Sequence, residues 1–571
     1  MPSNQTGTAR ALRRYGPFGL IVVVIAIIAL VTVVFGSDDD DSDSATTDVQ
    51  STEELIRSGP MTPEKAELLG EENGDFGPNC DLETGRVAIP SVYAPPCVEP
   101  FTGDNGGATS QGVTADTIKL VAYTTDPSQD PLLASQIDAA GGDVSVETAQ
   151  QTTQGYVDIY TSLFETYGRT VEVEFFLGTG NFQDAAAAKA DAIAIAEMEP
   201  FAVINGPAQV AQEFASELAA NDILCLGRCA LALPEDFSKD VAPYTWGSGP
   251  SPQQAARLSA EMIGTQVGPG PAEFAGDPTL QDQERVYGLV HFETTDGRYE
   301  PVMEVYKEAL SEYDVEIESD VPFILDLTTQ QEDARTIITK LKDAGVTTVI
   351  FYGDPITPGS ISKEATAQEY FPEWVVGPTV LADTTFFGRT YDQQQWAHAV
   401  GVSLPPGRGE EETRESYNLY QWFHGTAPPN NTYAVIWPDV NLFMVGVHLA
   451  GPDLTPETFR EALFRYPPSG GGPTNAQTSR GEHGFWPYLD LWGSDDASLI
   501  WWDPEVTGET ENGIEGVGMY RYANGGQRYL LGDWPSAAEG GLFDVESSVT
   551  VHPTLPPEDT PPDYPSPAGG G

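Results

Sequence analysis

The feature that most constrains this chain is a rhythm that occurs twice: a short apolar run, a stretch with helical spacing, then another apolar run. The first round has strand-like runs at 117–124 (TIKLVAYT), 171–177 (VEVEFFL), 201–206 (FAVING) and 223–226 (ILCL), separated by helical stretches over 148–167, 182–198 and 208–221. The rhythm restarts with strands at 285–292, 320–325, 346–352 and 374–376, and helices over 299–312, 330–344 and 360–370. Strands that alternate with helices of this length must pair in parallel, because each crossover returns the chain to the same end of the sheet. Two such rounds in tandem predict two doubly wound, Rossmann-like α/β lobes. A later stretch, 484–531, is rich in aromatics without helical spacing and reads as antiparallel hairpins whose rings pack rather than bind.

Segments outside the rhythm have simpler readings. Arg10, Arg13 and Arg14 precede an uninterrupted 18-residue run from Phe18 to Phe35. As a helix the run would be roughly 27 Å long, enough to span a bilayer with its basic flank on the cytoplasmic side. Its length favours an uncleaved transmembrane anchor over 17–36, after a cytoplasmic segment 1–16. A signal cleaved near Gly36 is the other reading. Either places the rest outside the cell. An acidic stalk follows over 37–54, its like charges holding it extended. Next comes a small preamble, 55–112, in which Cys80 and Cys97 are expected to form a disulfide in an oxidising compartment. Residues 541–571 form a Pro/Gly-rich tail, expected to stay disordered from Thr554 on.

Charge and motifs exclude several functions. With 27 basic against 86 acidic residues and a formal charge of −59, the chain lacks the Lys/Arg clusters that hold nucleic acid. The GxSxG and HExxH patterns are absent, and the six histidines are scattered, so no catalytic residue, cofactor or metal site is expected and an enzyme is disfavoured. In LCLGRC (224–229) there are too few neighbouring ligands for a metal and one residue too many between the thiols for the usual redox spacing. Two cysteines four apart in extended chain would lie about 13 Å from each other, so a Cys225–Cys229 bond needs a turn, which Gly227 permits. The expected outcome is a disulfide ring that presents Arg228.

Four segments together carry a family resemblance: GVTADTIKLVAY (112–123), FAVINGPAQVAQEFASELAANDILCLG (201–227), KLKDAGVTTVIFYGDP (340–355) and AGPDLTPETFREAL (450–463). In this order they resemble the extracellular solute-binding proteins of branched-chain amino acid type ABC transporters, which have the type I periplasmic-binding fold. The resemblance covers roughly 112 to 535. It implies two lobes joined by three crossover strands that close over a small ligand by hinge bending, with a membrane permease as partner. Lobe one would hold 113–248 and 377–455, and lobe two 249–376 and 456–540. The crossings would fall near 244–251, 374–380 and 448–456, where Gly and Pro recur. A membrane-anchored sensing receptor is the alternative reading, and a secreted hydrolase a more distant one.

In such sheets ligands sit beyond the carboxyl ends of the strands. The candidate contacts are therefore Thr124, Thr125 and Asp126 after the first strand, and Gly206, Pro207, Ala208 and Gln209 after FAVIN. Arg228 and Cys229 follow ILCL, Phe292 begins the second half, and Asp354 and Pro355 follow VIFY, with Trp246 in the first crossing. In amino-acid-binding members the equivalent of the 206–210 loop carries serines, the equivalent of 227–231 carries small hydroxyl residues, and the VIFY loop supplies a carboxylate for the ammonium group. Here they read GPAQV, GRCAL and GDPITPG, so the resemblance does not extend to a branched-chain amino acid as ligand. Gln209 and Arg228 suit a carboxylate, an amide or a phosphate, since guanidinium is a planar fork of donors.

Overall fold

The computed structural model describes residues 52–571 apart from 72, 73, 140, 208, 209, 296, 379, 380, 570 and 571. The expected anchor and most of the expected stalk lie outside the described residues. Among those described, one helix is long and apolar enough to cross a membrane, Tyr433–Ala450, and it is largely buried inside the protein.

The first round of the rhythm builds a five-stranded parallel sheet from β1 (Thr117–Thr124), β2 (Thr170–Leu177), β3 (Ala202–Ile204), β4 (Leu224–Leu226) and β5 (Thr245–Trp246), in the order β2-β1-β3-β4-β5. The second builds a larger sheet. In it β6 (Tyr287–Phe292), β7 (Ile317–Phe323), β8 (Thr348–Tyr352), β9 (Glu373–Val376) and β10 (Ala399–Ser403) run parallel in the order β10-β9-β8-β6-β7. The hairpin strands β11 (Asp496–Glu509) and β12 (Glu515–Tyr522) extend it antiparallel beyond β10, and β13 (Arg528–Leu530) also pairs with β11. Central strands buried on both faces read as continuous apolar runs: TVIFY in β8 is buried at all five positions. The edge strand β7 (IESDVPF) instead alternates and carries Pro322, which cannot donate to a further strand. The sequence-predicted elements of both rounds are found within a few residues of their expected bounds.

The lobe boundaries differ from expectation after 377. The strand β10 belongs to the second sheet, so the chain does not leave lobe two at 374–380. It crosses between Ser403 and Glu415, since α1 (Glu415–His424), α2 (Tyr433–Ala450) and α3 (Pro456–Arg465) contribute Leu419, Phe443 and Phe459 to the lobe-one core. The last crossing therefore comes after Arg465 rather than at 448–456, and 456–465 belongs to lobe one. The reason is packing: α2 is apolar around most of its circumference, and α3 covers it so closely that a Cβ at Gly446 would lie 2.2 Å from the Phe459 ring. The first crossing lies between β5 and the helix that follows it. After Trp246 at the end of β5 the chain enters α4 (Pro252–Met262), whose N-terminus is closed by a Ser251–Gln254 capping box.

The preamble packs on lobe one through Val87, Ile89 and Tyr93, with Tyr466 donating to the Tyr93 carbonyl at 2.9 Å. It is closed by Cys80–Cys97, and the second disulfide is Cys225–Cys229. The tail is ordered, contrary to expectation. Val551 and His552 pair with Arg408 and Gly409, and Asp559 is 1% exposed. With all four cysteines paired, a maleimide should modify none of them in the native, unreduced protein and four after denaturation and reduction, as read by intact mass.

Candidate functional site

The carboxyl ends of the two sheets face each other. Gln183, after β2, donates to the Leu325 carbonyl after β7 at 2.8 Å. Glu213, in the first turn of α5 (Ala211–Ala219), pairs with Arg298 after β6 through both guanidinium amino groups. Tyr299 donates to the Ala232 carbonyl at 3.2 Å. The lobes are thus latched at the mouth of the cleft, and the residues between are the candidate site.

On the lobe-one side the geometry centres on Asp439, whose side chain is 1% exposed within the predominantly apolar helix α2. Its Oδ1 accepts the backbone N–H of Arg228 at 3.1 Å and its Oδ2 accepts Nε at 3.0 Å. Burial pushes the Asp439 carboxyl up, and the Arg228 charge opposes that rise. Gly227 has φ +65°, and a Cβ there would lie 2.0 Å from Oδ1, so the contact requires glycine. A Cβ at Gly206 would lie 3.0 Å from the Cys229 Cα, so this loop also approaches the 227–230 turn closely. The disulfide fixes the same turn from behind. Arg228 Nη1 and Nη2 have no partner among the described residues, and the side chain is 29% exposed. A guanidinium held by its Nε and open at Nη1 and Nη2 can take a carboxylate or phosphate end-on.

The other expected contacts divide. Thr124 and Thr125 are half-buried at the end of β1. Asp126 turns back to accept the Ser128 N–H at 2.9 Å, a bond that holds its carboxyl below the usual range. Gly206 and Pro207 are buried beside the 227–230 turn, while Ala208 and Gln209 lie outside the described residues. Phe292 ends β6 with its ring 5.4 Å from Tyr299 and 6.2 Å from Phe323, an apolar patch on the lobe-two side. Pro355 lends its carbonyl to Tyr391.

Three expectations need correction. Cys229 is completely buried among Val121, Tyr123 and Phe214, so its sulfur serves the ring and not a ligand. Trp246 is 1% exposed, donates to the Pro243 carbonyl at 2.7 Å and packs on Phe464, because its large apolar surface completes the lobe-one core. Asp354 accepts from the Ile356 and Thr357 N–H groups at 2.7 and 2.8 Å and from the Thr357 hydroxyl at 2.7 Å. Its carboxylate is spent on the start of the helix Thr357–Ala367, leaving it unfit to hold an ammonium group.

The residues that sequence reasoning missed are Asp439, Glu213, Arg298 and Tyr299. Asp439 had a signal, a single acid inside YAVIWPDVNLFMVGVHLA. The Glu213–Arg298 pair had none, because its members stand 85 residues apart.

Behind the cleft the three crossings pass through a buried polar knot. Glu235, 5% exposed, accepts from Ser251, Arg257 and Tyr488 on one oxygen and pairs with Lys239 on the other. Arg528 is fully buried, bonds Asp496, and donates to the Leu404 and Pro405 carbonyls of the second crossing. Arg480 donates to the Gly247 carbonyl of the first at 2.6 Å. Nearby, Glu415 opens α1 with a buried Oε1 that has no partner among the described residues, and burial pushes its carboxyl up to about 8.

No known protein family and no curated protein matches this sequence. Solved structures with a similar chain course include the branched-chain amino acid transporter substrate-binding protein of Streptococcus pneumoniae, in complex with isoleucine. It is 13% identical, with 71% of this chain and 100% of that one covered and a TM-score of 0.45. A solute-binding protein of an ABC transporter from R. palustris, in complex with 4-hydroxybenzoate, is 12% identical over 74% and 99% of the two chains, with a TM-score of 0.47. A fatty acid ABC transporter substrate-binding protein from Thermomonospora curvata is 13% identical over 76% and 100%, also at 0.47.

Two outcomes follow from this geometry. Arg228→Ala leaves the Asp439 carboxylate buried without its counter-charge and should cost about 3 kcal/mol in chemical denaturation, and Asp439→Asn in the same chain should recover part of that loss. The Glu415 carboxyl binds its proton more tightly folded than unfolded, so its contribution is complete below the ordinary carboxyl value and is lost as pH rises through about 8. Unfolding free energy should therefore fall by on the order of 3 kcal/mol between pH 6 and pH 9, and Glu415→Gln should flatten that slope.

Proposed function

We propose that this protein captures a small carboxylate-bearing solute between its lobes by hinge closure and delivers it to the permease of an ABC-type importer. The N-terminal apolar run holds it at the outer face of the membrane. The observation that carries the reading is Arg228. It stands in the loop after β4, held by Asp439 at its Nε and N–H, with neither outer amino group bonded among the described residues, and Tyr299 of lobe two meets lobe one nearby in sequence, at the Ala232 carbonyl. A buried ion pair of this kind contributes little to stability, which favours a positional role for the arginine. Phe292 and Tyr299 supply an apolar wall for the rest of the solute. The absent serines and the spent Asp354 count against an amino acid bound through both its carboxylate and its ammonium group, and favour an acid without a free amine.

Thermal melts against a panel of monocarboxylates, α-amino acids, amides and neutral solutes test this. A carboxylate present at a hundredfold excess over its Kd should stabilise the fold by about 2.7 kcal/mol. Arg228→Lys, which keeps the charge beside Asp439 but loses the fork, should abolish that shift while melting near the wild type. Stabilisation by a neutral solute alone, or a carboxylate shift unaffected by Arg228→Lys, would sink the assignment.

A further inference from the structure

The C-terminal segment has no role in the reading above, yet it is anchored at five places on the hinge side of the molecule. On lobe two, Val549 exchanges both backbone hydrogen bonds with Tyr522 at 2.8 and 3.0 Å, and Gly525 donates to the Ser547 carbonyl at 2.7 Å. Val551 and His552 then form a parallel ladder with Arg408 and Gly409 of the second crossing. Asp559 accepts from the Thr474 N–H at 2.6 Å and from Asn475 Nδ2 at 3.1 Å, both in the third crossing, and Gly472 leaves just the room its carboxylate needs. On lobe one, Trp422 Nε1 donates to the Tyr564 carbonyl at 2.9 Å and Ser566 donates to the Trp422 carbonyl. Finally the Tyr564 hydroxyl donates to Asp81 of the preamble at 2.8 Å.

Between 553 and 567 the segment contains seven prolines. Proline fixes φ, so outside the 3-10 turn at Pro557–Asp559 such a chain is stiff and has little slack to release. Opening the cleft means rotating one lobe against the other about the crossings. A stiff segment fastened to lobe two, to two crossings and to lobe one can follow that rotation only by breaking an anchor.

We propose that residues 547–566 are a hinge strap that limits how far the two lobes open. The strap acts on the hinge and not on the ligand, so it stands whichever solute the cleft takes.

The test is a distance measurement in the protein without added solute. Spin labels are placed at Lys189→Cys on lobe one and Arg335→Cys on lobe two, both exposed, while the native cysteines stay paired. Ending the chain after Thr550 should move the label–label distribution to longer distances and broaden it. Asp559→Asn with Tyr564→Phe, which weakens two anchors and leaves the polypeptide intact, should move it the same way by less. If the truncated chain does not fold, the double variant decides. Lowered melting temperature with a distribution identical to the full chain would overturn the proposal and leave the segment a purely stabilising cover.

Discussion

The carboxylate of Asp439 organises the business end of lobe one. It lies inside a largely apolar, buried helix, where an unpaired charge would be costly, and the only described cation that reaches it is Arg228. That one requirement forces the 227–230 turn down onto the helix, which forces glycine at 227 and brings the 205–207 loop against the same turn. The disulfide holds the same turn from behind. An ion pair in such a place is weak evidence for stability by itself. Its value here is positional, since it spends one edge of a guanidinium and leaves the other open.

A second constraint sits at the hinge. Three crossings pass close together, and their backbone carbonyls at Gly247, Leu404 and Pro405 are satisfied by buried arginines rather than by sheet ladders. Glu235 ties lobe one to the start of α4, and Arg528 ties the end of lobe two to the second crossing. Bonds of this kind hold position while allowing small rotations, because a side chain can pivot where a strand ladder cannot. The C-terminal segment then bounds that freedom from outside.

Much of this was legible before the structure. Periodicity located the strands of both sheets up to β9 apart from the two-residue β5, because a strand buried on both faces must be apolar throughout, and the ring at 225–229 followed from glycine's freedom and the reach of a disulfide. Reading failed where one residue type serves two ends. Asp354 looks like a ligand carboxylate but caps a helix, and Trp246 looks like a cleft aromatic but fills the core. The prolines of the tail read as disorder, yet restricted backbone freedom also lowers the entropy lost on ordering, and enough partners were available to fix it.

The sequence by itself determined the fold class, the two rounds of strand and helix and the cysteine ring. All of these rest on local spacing within a few tens of residues. Only the tertiary structure decided where the chain re-enters lobe two, that Asp439 answers Arg228 across 211 positions, and that Glu213 meets Arg298 across the cleft. Those depend on which faces the packed lobes bring together, and no periodicity in the chain records that.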